Sequence, residues 1–106
     1  MRIIKWFDDP YFEQTVTLGL ASFMITCCWN VRDEAWYVSV YKSDETPLVI
    51  GKKLTIDVNV LSDVYDDGKP DGGLYAIVMG NNIDVITRNN MGSEVELVYI
   101  GDDEVL

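Results

Sequence analysis

Apolar and polar residues alternate at every second position along much of the chain. Residues 15–21, TVTLGLA, place Val16, Leu18 and Leu20 on one side of an extended segment. Successive side chains of a strand point to opposite faces, so this pattern predicts a strand with one buried face. The same alternation at residues 95–99 predicts the last strand of the chain.

Other segments predict strands with a less regular pattern. Residues 74–79, LYAIVM, form a continuous apolar run, which is typical of a strand buried on both faces. Residues 54–60 alternate as a strand would, but residues 58–64 also suit a short turn that carries the chain across one end of the fold. Residues 1–9 suit a first strand, and residues 83–87 suit a short extended piece.

The segment 25–40, ITCCWNVRDEAWYVSV, predicts a β-hairpin whose register follows from sorting its side chains into two faces. One face becomes wholly apolar and the other mixed, and a one-residue slip would scramble this sorting. Residues 30–35 then form the connecting loop. The apolar pairs are Trp29 with Trp36, Cys27 with Val38, and Ile25 with Val40.

Together these segments predict an all-β fold of about six or seven short strands, in a small antiparallel β-sandwich or a partly closed β-barrel. A chain of 106 residues suits a single domain. We expect residues 1–13 to form an N-terminal arm and residues 101–106 a frayed tail. The residues that we assign to the structural core are Trp29, Trp36, Val38, Leu74 and Leu97.

The composition argues against catalysis. The chain has no histidine, which removes Ser-His-Asp and Cys-His catalysis and the common zinc ligand sets. The carboxylates concentrate in loops and at the end of the chain, where solvation explains them better than a catalytic pair. Adjacent Cys27 and Cys28 point to opposite faces of a strand, so we expect two free, buried thiols in a reducing cytoplasm. We predict a protein that is not an enzyme and has no cofactor and no metal.

The charge limits the partners of the protein. With 18 acidic and 8 basic residues the net charge is −10, which repels nucleic acid and anionic membrane surfaces. The longest apolar runs fall short of the ~20 residues that a membrane span needs. The first residues lack the basic and apolar regions of a signal peptide.

One loop, residues 63–73, invites a calcium-binding hypothesis. Aligning Asp63 with the first ligand position of an EF-hand loop puts Asp67 at the fifth. However, Tyr65 and Leu74 then stand at positions three and twelve, where ligands are needed. A turn rich in Asp and Gly explains the segment better. The alternative of a small β module that binds a divalent cation here, or a carbohydrate through its tryptophans, stays open.

A set of short motifs is ordered along more than eighty residues of the chain. The motifs are TVTL at 15–18, Trp29-Asn30-x-Arg32, Trp36-Tyr37, Pro47-Leu48 followed by Gly51 and Leu54, Gly72-Gly73-Leu74, the step from Arg88 to Gly92, and Val95-x-Leu97-x-Tyr99. This ordered set resembles the small bacteriophage baseplate plug family of contractile-tailed cyanophages. Asn89 departs from the pattern, because members often carry Asp there.

The resemblance implies a structural protein of the virion tail baseplate, made in the host cytoplasm, with no catalytic residues. It implies that the partners are other baseplate or hub proteins and that the assembly is a symmetric oligomer. The aromatic residues of the 1–13 arm either pack on a neighbouring subunit or fold back on their own core. Aromatic and arginine residues are enriched at interface centres. The candidate interface residues are Trp6, Phe7, Tyr11, Phe12, Arg32 and Arg88.

Overall fold

Two antiparallel sheets make up the protein. The computed structural model describes residues 2–62, 64–65, 68–80 and 83–101. These residues contain strands and turns but no helix, which confirms the predicted all-β, sandwich-like fold. The strands are β1 Arg2–Ile4, β2 Tyr11–Leu18, β3 Ala21–Asn30, β4 Ala35–Lys42, β5 Pro47–Lys53, β6 Gly73–Val78 and β7 Val95–Ile100.

The strands are divided into a four-stranded sheet with the order β2-β3-β4-β5 and a three-stranded sheet with the order β1-β7-β6. Along one side, the sheets approach each other through side chains: Arg2 Nη1 donates to the Thr17 carbonyl at 3.0 Å. Close by, Gln14 Nε2 donates to the Lys5 carbonyl at 2.7 Å. The first segment of the chain therefore lies along the edge of β2.

On the other side, residues 54–62 begin the connection from β5 to β6 and cross from one sheet to the other. The Leu54 amide donates to the Trp36 carbonyl of β4, and the Asp57 amide donates to the Ala76 carbonyl of β6. The predicted strand at 54–60 is therefore wrong, and the alternative interpretation as a crossing segment is supported.

The reason is that the Asn59 side chain bonds the backbone of its own segment and of the start of β6. The Asn59 side-chain oxygen accepts the Leu61 amide at 2.9 Å and the Leu74 amide at 3.0 Å. Such a side chain offers the backbone an alternative to a sheet ladder. The outcome is an irregular but well-packed segment, in which Val60 and Leu61 are buried.

The β3–β4 hairpin has the predicted register. Every predicted apolar pair, from Trp29 with Trp36 to Ile25 with Val40, is a pair of facing residues. Asn30 also pairs with Ala35, so the connecting loop is residues 31–34 and not 30–35. The strands continue further than expected because a four-residue turn is long enough to reverse the chain.

The second strand starts and ends earlier than predicted. It begins at Tyr11, which pairs with Cys28, and it ends at Leu18. Gly19 has φ = 70° and forms a tight turn with Leu20, whose side chain is fully exposed. The prediction of Leu20 on a buried face is therefore wrong, because alternation continues through a turn that the sheet does not follow.

The burial of β6 and β7 differs from the predicted pattern. In β6, Leu74 and Ala76 are buried, whereas Tyr75 and Ile77 are only half-buried, so burial on both faces is wrong for this strand. Instead, β7 is the strand buried on both faces, with Leu97 and Tyr99 buried on one face and Val98 and Ile100 on the other.

The turn before β6 depends on two adjacent glycines. A Cβ added to Gly72 would lie 2.0 Å from the Ile100 carbonyl oxygen. At Gly73 it would lie 2.7 Å from Asn59 Nδ2. The glycines therefore let the crossing segment and β7 approach the start of β6 closely.

Candidate interface site

Five aromatic residues from four parts of the chain form one group, which we call the aromatic cluster. Trp6 and Phe7 follow β1, Phe12 lies in β2, and the two tryptophans of the hairpin come from β3 and β4. The members are Trp6, Phe7, Phe12, Trp29 and Trp36.

The rings of the aromatic cluster meet edge to face. Trp6 lies 4.9 Å from Trp36 with an interplanar angle of 89°, and 5.0 Å from Phe12 with an angle of 87°, between ring centroids. The Trp29 ring is 5.5 Å from that of Trp36, and Phe7 is 5.2 Å from Phe12. Such pairs contribute about 0.5–1.5 kcal/mol each beyond the burial of area. Trp36 is the centre of the group and is completely buried.

A cavity of about 290 Å³ opens beside the aromatic cluster, and we call it the Arg88 cavity. It lies between the segment after β1 and the loop before β7. Aromatic, charged and polar groups all contribute to its wall. The lining residues are Trp6, Phe7, Asp8, Arg88, Asn89, Met91, Gly92 and Ser93.

The Arg88 guanidinium is held from two sides. Its carbon lies 5.3 Å from the ring centroid of Trp36, within the range of a cation–π contact. Its Nη1 is 3.4 Å from Asp8 Oδ1, a long ion pair to a side chain that is 96% exposed. Because exposed pairs contribute little, the aromatic ring is the firmer of the two supports.

The loop that carries Arg88 is organised by Asn90, which is buried. Its Oδ1 accepts the Thr87 amide at 2.8 Å, and its Nδ2 donates to the Val85 carbonyl at 2.9 Å. Its main-chain carbonyl accepts the amides of Ser93, Glu94 and Val95. Asn90, two residues further along the chain, thus fixes the position of Arg88.

Close packing completes the wall of the cavity. Gly92 has φ = 86°, and a Cβ there would lie 2.9 Å from Trp6 Cβ, so only glycine suits this contact. Among the described residues, the indole Nε1 atoms of Trp6 and Trp36 are buried without a hydrogen-bond acceptor. Such atoms are uncommon in folded proteins and invite an explanation.

The structure brings together four of the six candidate interface residues. Trp6, Phe7 and Arg88 line the Arg88 cavity, and Phe12 is buried beneath them in the chain's own core. Of the two placements considered for the 1–13 arm, the chain adopts the one in which the arm folds back on its own core. Contact of Trp6 and Phe7 with a neighbour stays a prediction.

The other two candidates do not line the cavity. The Tyr11 side chain is 55% exposed on β2. Arg32 is exposed in the hairpin turn, where Asn30 Oδ1 accepts the Asp33 amide at 3.0 Å. In that turn, the hydrogen bond that the Tyr37 hydroxyl donates to Asp33 raises the pKa of the tyrosine. Tyr11 and Arg32 stay predicted interface residues.

The predicted core residues are placed as follows: Trp36, Val38, Leu74 and Leu97 are fully buried, and Trp29 is half-buried. The complete burial of Trp36 removes it as a stacking surface for a sugar. Sequence reasoning missed Asp8, Asn90 and Met91 as parts of the site. Asn90 gave a signal in the polar run RNNMGS, but its hydrogen bonds depend on the folded loop.

In the described part of the chain, neither the two cysteines nor a group of carboxylates offers reactive chemistry. Both cysteines are free, as predicted, but only Cys27 is buried; the predicted burial of Cys28 is wrong, because its side chain is on the exposed face of β3. Burial raises the pKa of Cys27 to about 12. No group of three or more potential metal ligands occurs among the described residues. The calcium hypothesis depends on Asp63 and Asp67, which lie outside them. Within the same residues, no helix is long and apolar enough to span a membrane.

Fold and site together define a small sandwich-like β domain with an aromatic core that reaches a surface cavity. The family model for the cyanophage baseplate Pam3 plug gp18 matches residues 1–103. The chain therefore belongs to this baseplate plug family, which confirms the resemblance seen in its motifs. No curated protein matches the chain. Family membership supports a structural role in a phage tail baseplate and gives no support to the alternative of a ligand-binding module.

Proposed function

We propose that the protein is a packing component of the tail baseplate. It blocks space and bridges subunits around the central tail axis, without catalysis and without a cofactor. Its partners are other baseplate or hub proteins, and the assembled form is a symmetric oligomer in the virion, made from chains synthesised in the host cytoplasm. Membership of the baseplate plug family supports this proposal.

The observation that carries the proposal is the gathering of Trp6, Phe7 and Arg88 at the Arg88 cavity. Interface centres that dominate binding energy combine aromatic and arginine side chains in well-packed pockets. Here the same residue types have a rigid support. The Trp6 ring contacts the buried Trp36, and the Phe7 ring contacts Phe12. The Arg88 guanidinium lies over the Trp36 ring.

The charge of the protein supports protein partners over other classes. A net charge of −10 opposes contact with nucleic acid and with anionic lipid. It also opposes close approach of identical chains unless a partner surface contributes cations. We therefore expect copies of this protein to assemble around a hub that carries basic residues, and not alone at low salt.

Co-expression with the baseplate and hub proteins of the same phage tests the proposal. We expect the chain to purify in a stable complex whose mass, measured by light scattering, contains several copies. Phe7→Ser should weaken the complex, whereas Leu20→Ser, at an exposed turn away from the cavity, should not. A chain that stays monomeric and binds none of these proteins would refute the proposed function.

A further inference from the structure

We propose that the Arg88 cavity is a carboxylate-binding site, which receives an Asp or Glu side chain of a partner protein. In the free chain, Asp8 holds the place of that carboxylate. The inference rests on the proposed function, because it names the chemistry of the partner group that enters the cavity.

Arg88 has unused capacity to bind an anion. A guanidinium offers five N–H donors in a planar fork that matches a carboxylate. In the structure it makes one polar contact among the described residues, at 3.4 Å to Asp8 Oδ1. Charge-assisted hydrogen bonds are normally about 2.7–2.9 Å long, so this contact is a long one and uses a single nitrogen of the fork.

The guanidinium is also positioned before any ligand arrives. Trp36 supports one side of it at 5.3 Å, and Asn90 fixes the loop from which it extends. Its side chain keeps 27% of its surface exposed. A side chain ordered in advance loses less entropy on binding, which favours a partner group of the matching shape.

The Trp6 ring lines the same cavity as Arg88, and its indole Nε1–H is buried without an acceptor among the described residues. A carboxylate bound by Arg88 enters a cavity that this ring helps to form, so the indole N–H signal reports its entry. A hydroxyl or an amide cannot match the charge of the guanidinium.

Size and local charge agree with one carboxylate side chain. A volume of about 290 Å³ is at the small end of ligand pockets, which are about 300–1,000 Å³. Lys5 lies 5.1 Å from the centroid of Phe7, which lines the cavity. Lys5 and Arg88 balance Asp8 and Asp9 here, in a chain that is otherwise strongly acidic. An incoming anion therefore meets a nearly balanced set of charges at this cavity, although the whole chain has a net charge of −10.

The test uses the full chain and a small probe, N-acetyl-glutamate amide, followed by ¹H–¹⁵N nuclear magnetic resonance. We expect saturable shifts of the Trp6 indole and Arg88 Nε–H signals. The neutral probe N-acetyl-glutamine amide is the matched control and should cause none. Arg88→Gln should weaken binding about tenfold, and Arg88→Lys, which keeps the charge but loses the fork, should weaken it less.

Asp8→Asn separates this inference from a purely structural role of Arg88. Removal of the competing carboxylate should tighten probe binding several-fold, an effect that no structural role of the arginine predicts. Equal shifts with both probes, or unchanged affinity in Arg88→Gln and Asp8→Asn, would overturn the carboxylate site. Those results concern only the cavity and are compatible with a stable baseplate complex. The proposed function fails by a different result, in which the unaltered chain forms no such complex.

Discussion

The loop that presents Arg88 should lose stability when the Asn90 side chain is removed. Asn90→Ala deletes the bonds to the Thr87 amide and the Val85 carbonyl, at 2.8 and 2.9 Å. Each bond contributes about 0.5–1.5 kcal/mol net. Because Thr87 and Val85 are exposed, the released groups bind water and no further penalty arises. We therefore expect the free energy of unfolding to fall by about 1–3 kcal/mol.

The assay is urea unfolding followed by tryptophan fluorescence. For a slope of about 1–1.5 kcal/mol per molar urea, the midpoint should fall by about 0.7–3 M. Asn89→Ala is the matched control, since Asn89 is the exposed neighbour of the same residue type and should shift the midpoint little. If both variants unfold at the same urea concentration as the unaltered chain, the assignment of Asn90 as the organiser of this loop is incorrect.

Three further predictions concern the fold around the site. Gly73→Ala should destabilise the protein by about 1–3 kcal/mol, because the new Cβ displaces Asn59 from its two amide bonds. Above pH 9, stability should fall by about 1.4 kcal/mol per pH unit up to about pH 12, because the Cys27 thiol ionises in the unfolded chain near 9.0 but in the folded chain only near 12. Leu20→Ser should change stability by less than about 0.5 kcal/mol, since this side chain is fully exposed.

Each of these has a control in the same chain. Gly80→Ala places its Cβ no closer than 3.4 Å to a neighbour and should be tolerated, so equal losses at both glycines would contradict the role of Asn59. Cys27→Ala should remove its part of the alkaline slope, measured as urea midpoints from pH 8 to pH 11; an unchanged slope would contradict burial of that thiol. Leu18→Ala, at a buried position, should cost about 2–5 kcal/mol, and a similar cost at Leu20 would contradict the turn.

The sequence was most informative where two strands restrict each other. The β3–β4 register was predictable because only one pairing puts Trp29, Trp36 and their neighbours on one apolar face. Alternation within a single segment was less reliable. The alternation predicted a strand that continues through Gly19 to Leu20, although a glycine also suits a turn.

Residues 54–64 show why a periodic pattern alone was insufficient. Leu54 and Val60 are buried as the pattern indicates, but Val58 is 40% exposed. The bond of Asn59 to Leu74 and its close contact with Gly73 draw the backbone out of a regular strand. These interactions join residues about fifteen positions apart. No local pattern reports them, because they depend on how the two sheets come together.

For the site, the types of residue were predictable from the sequence, but the residues that they contact within the chain were not. Aromatic residues and an arginine were reasonable candidates from interface chemistry alone. The contact of Arg88 with Asp8 joins positions eighty residues apart, and the stacking on Trp36 requires both sheets to be in place. The buried Phe12 shows the converse, since an aromatic residue near the start of a chain serves the core as readily as an interface.

The position of the aromatic cluster links the stability of the domain to its proposed docking. Trp36 contacts Trp6 from the segment after β1, and it supports Arg88 from the loop before β7. The cavity wall is therefore built by two connecting segments that meet on a single buried ring, and a partner that enters it contacts a surface already ordered by folding. Little binding energy is then lost to ordering. On this reasoning Asn90→Ala should weaken both probe binding and stability, whereas Asp8→Asn should change only binding.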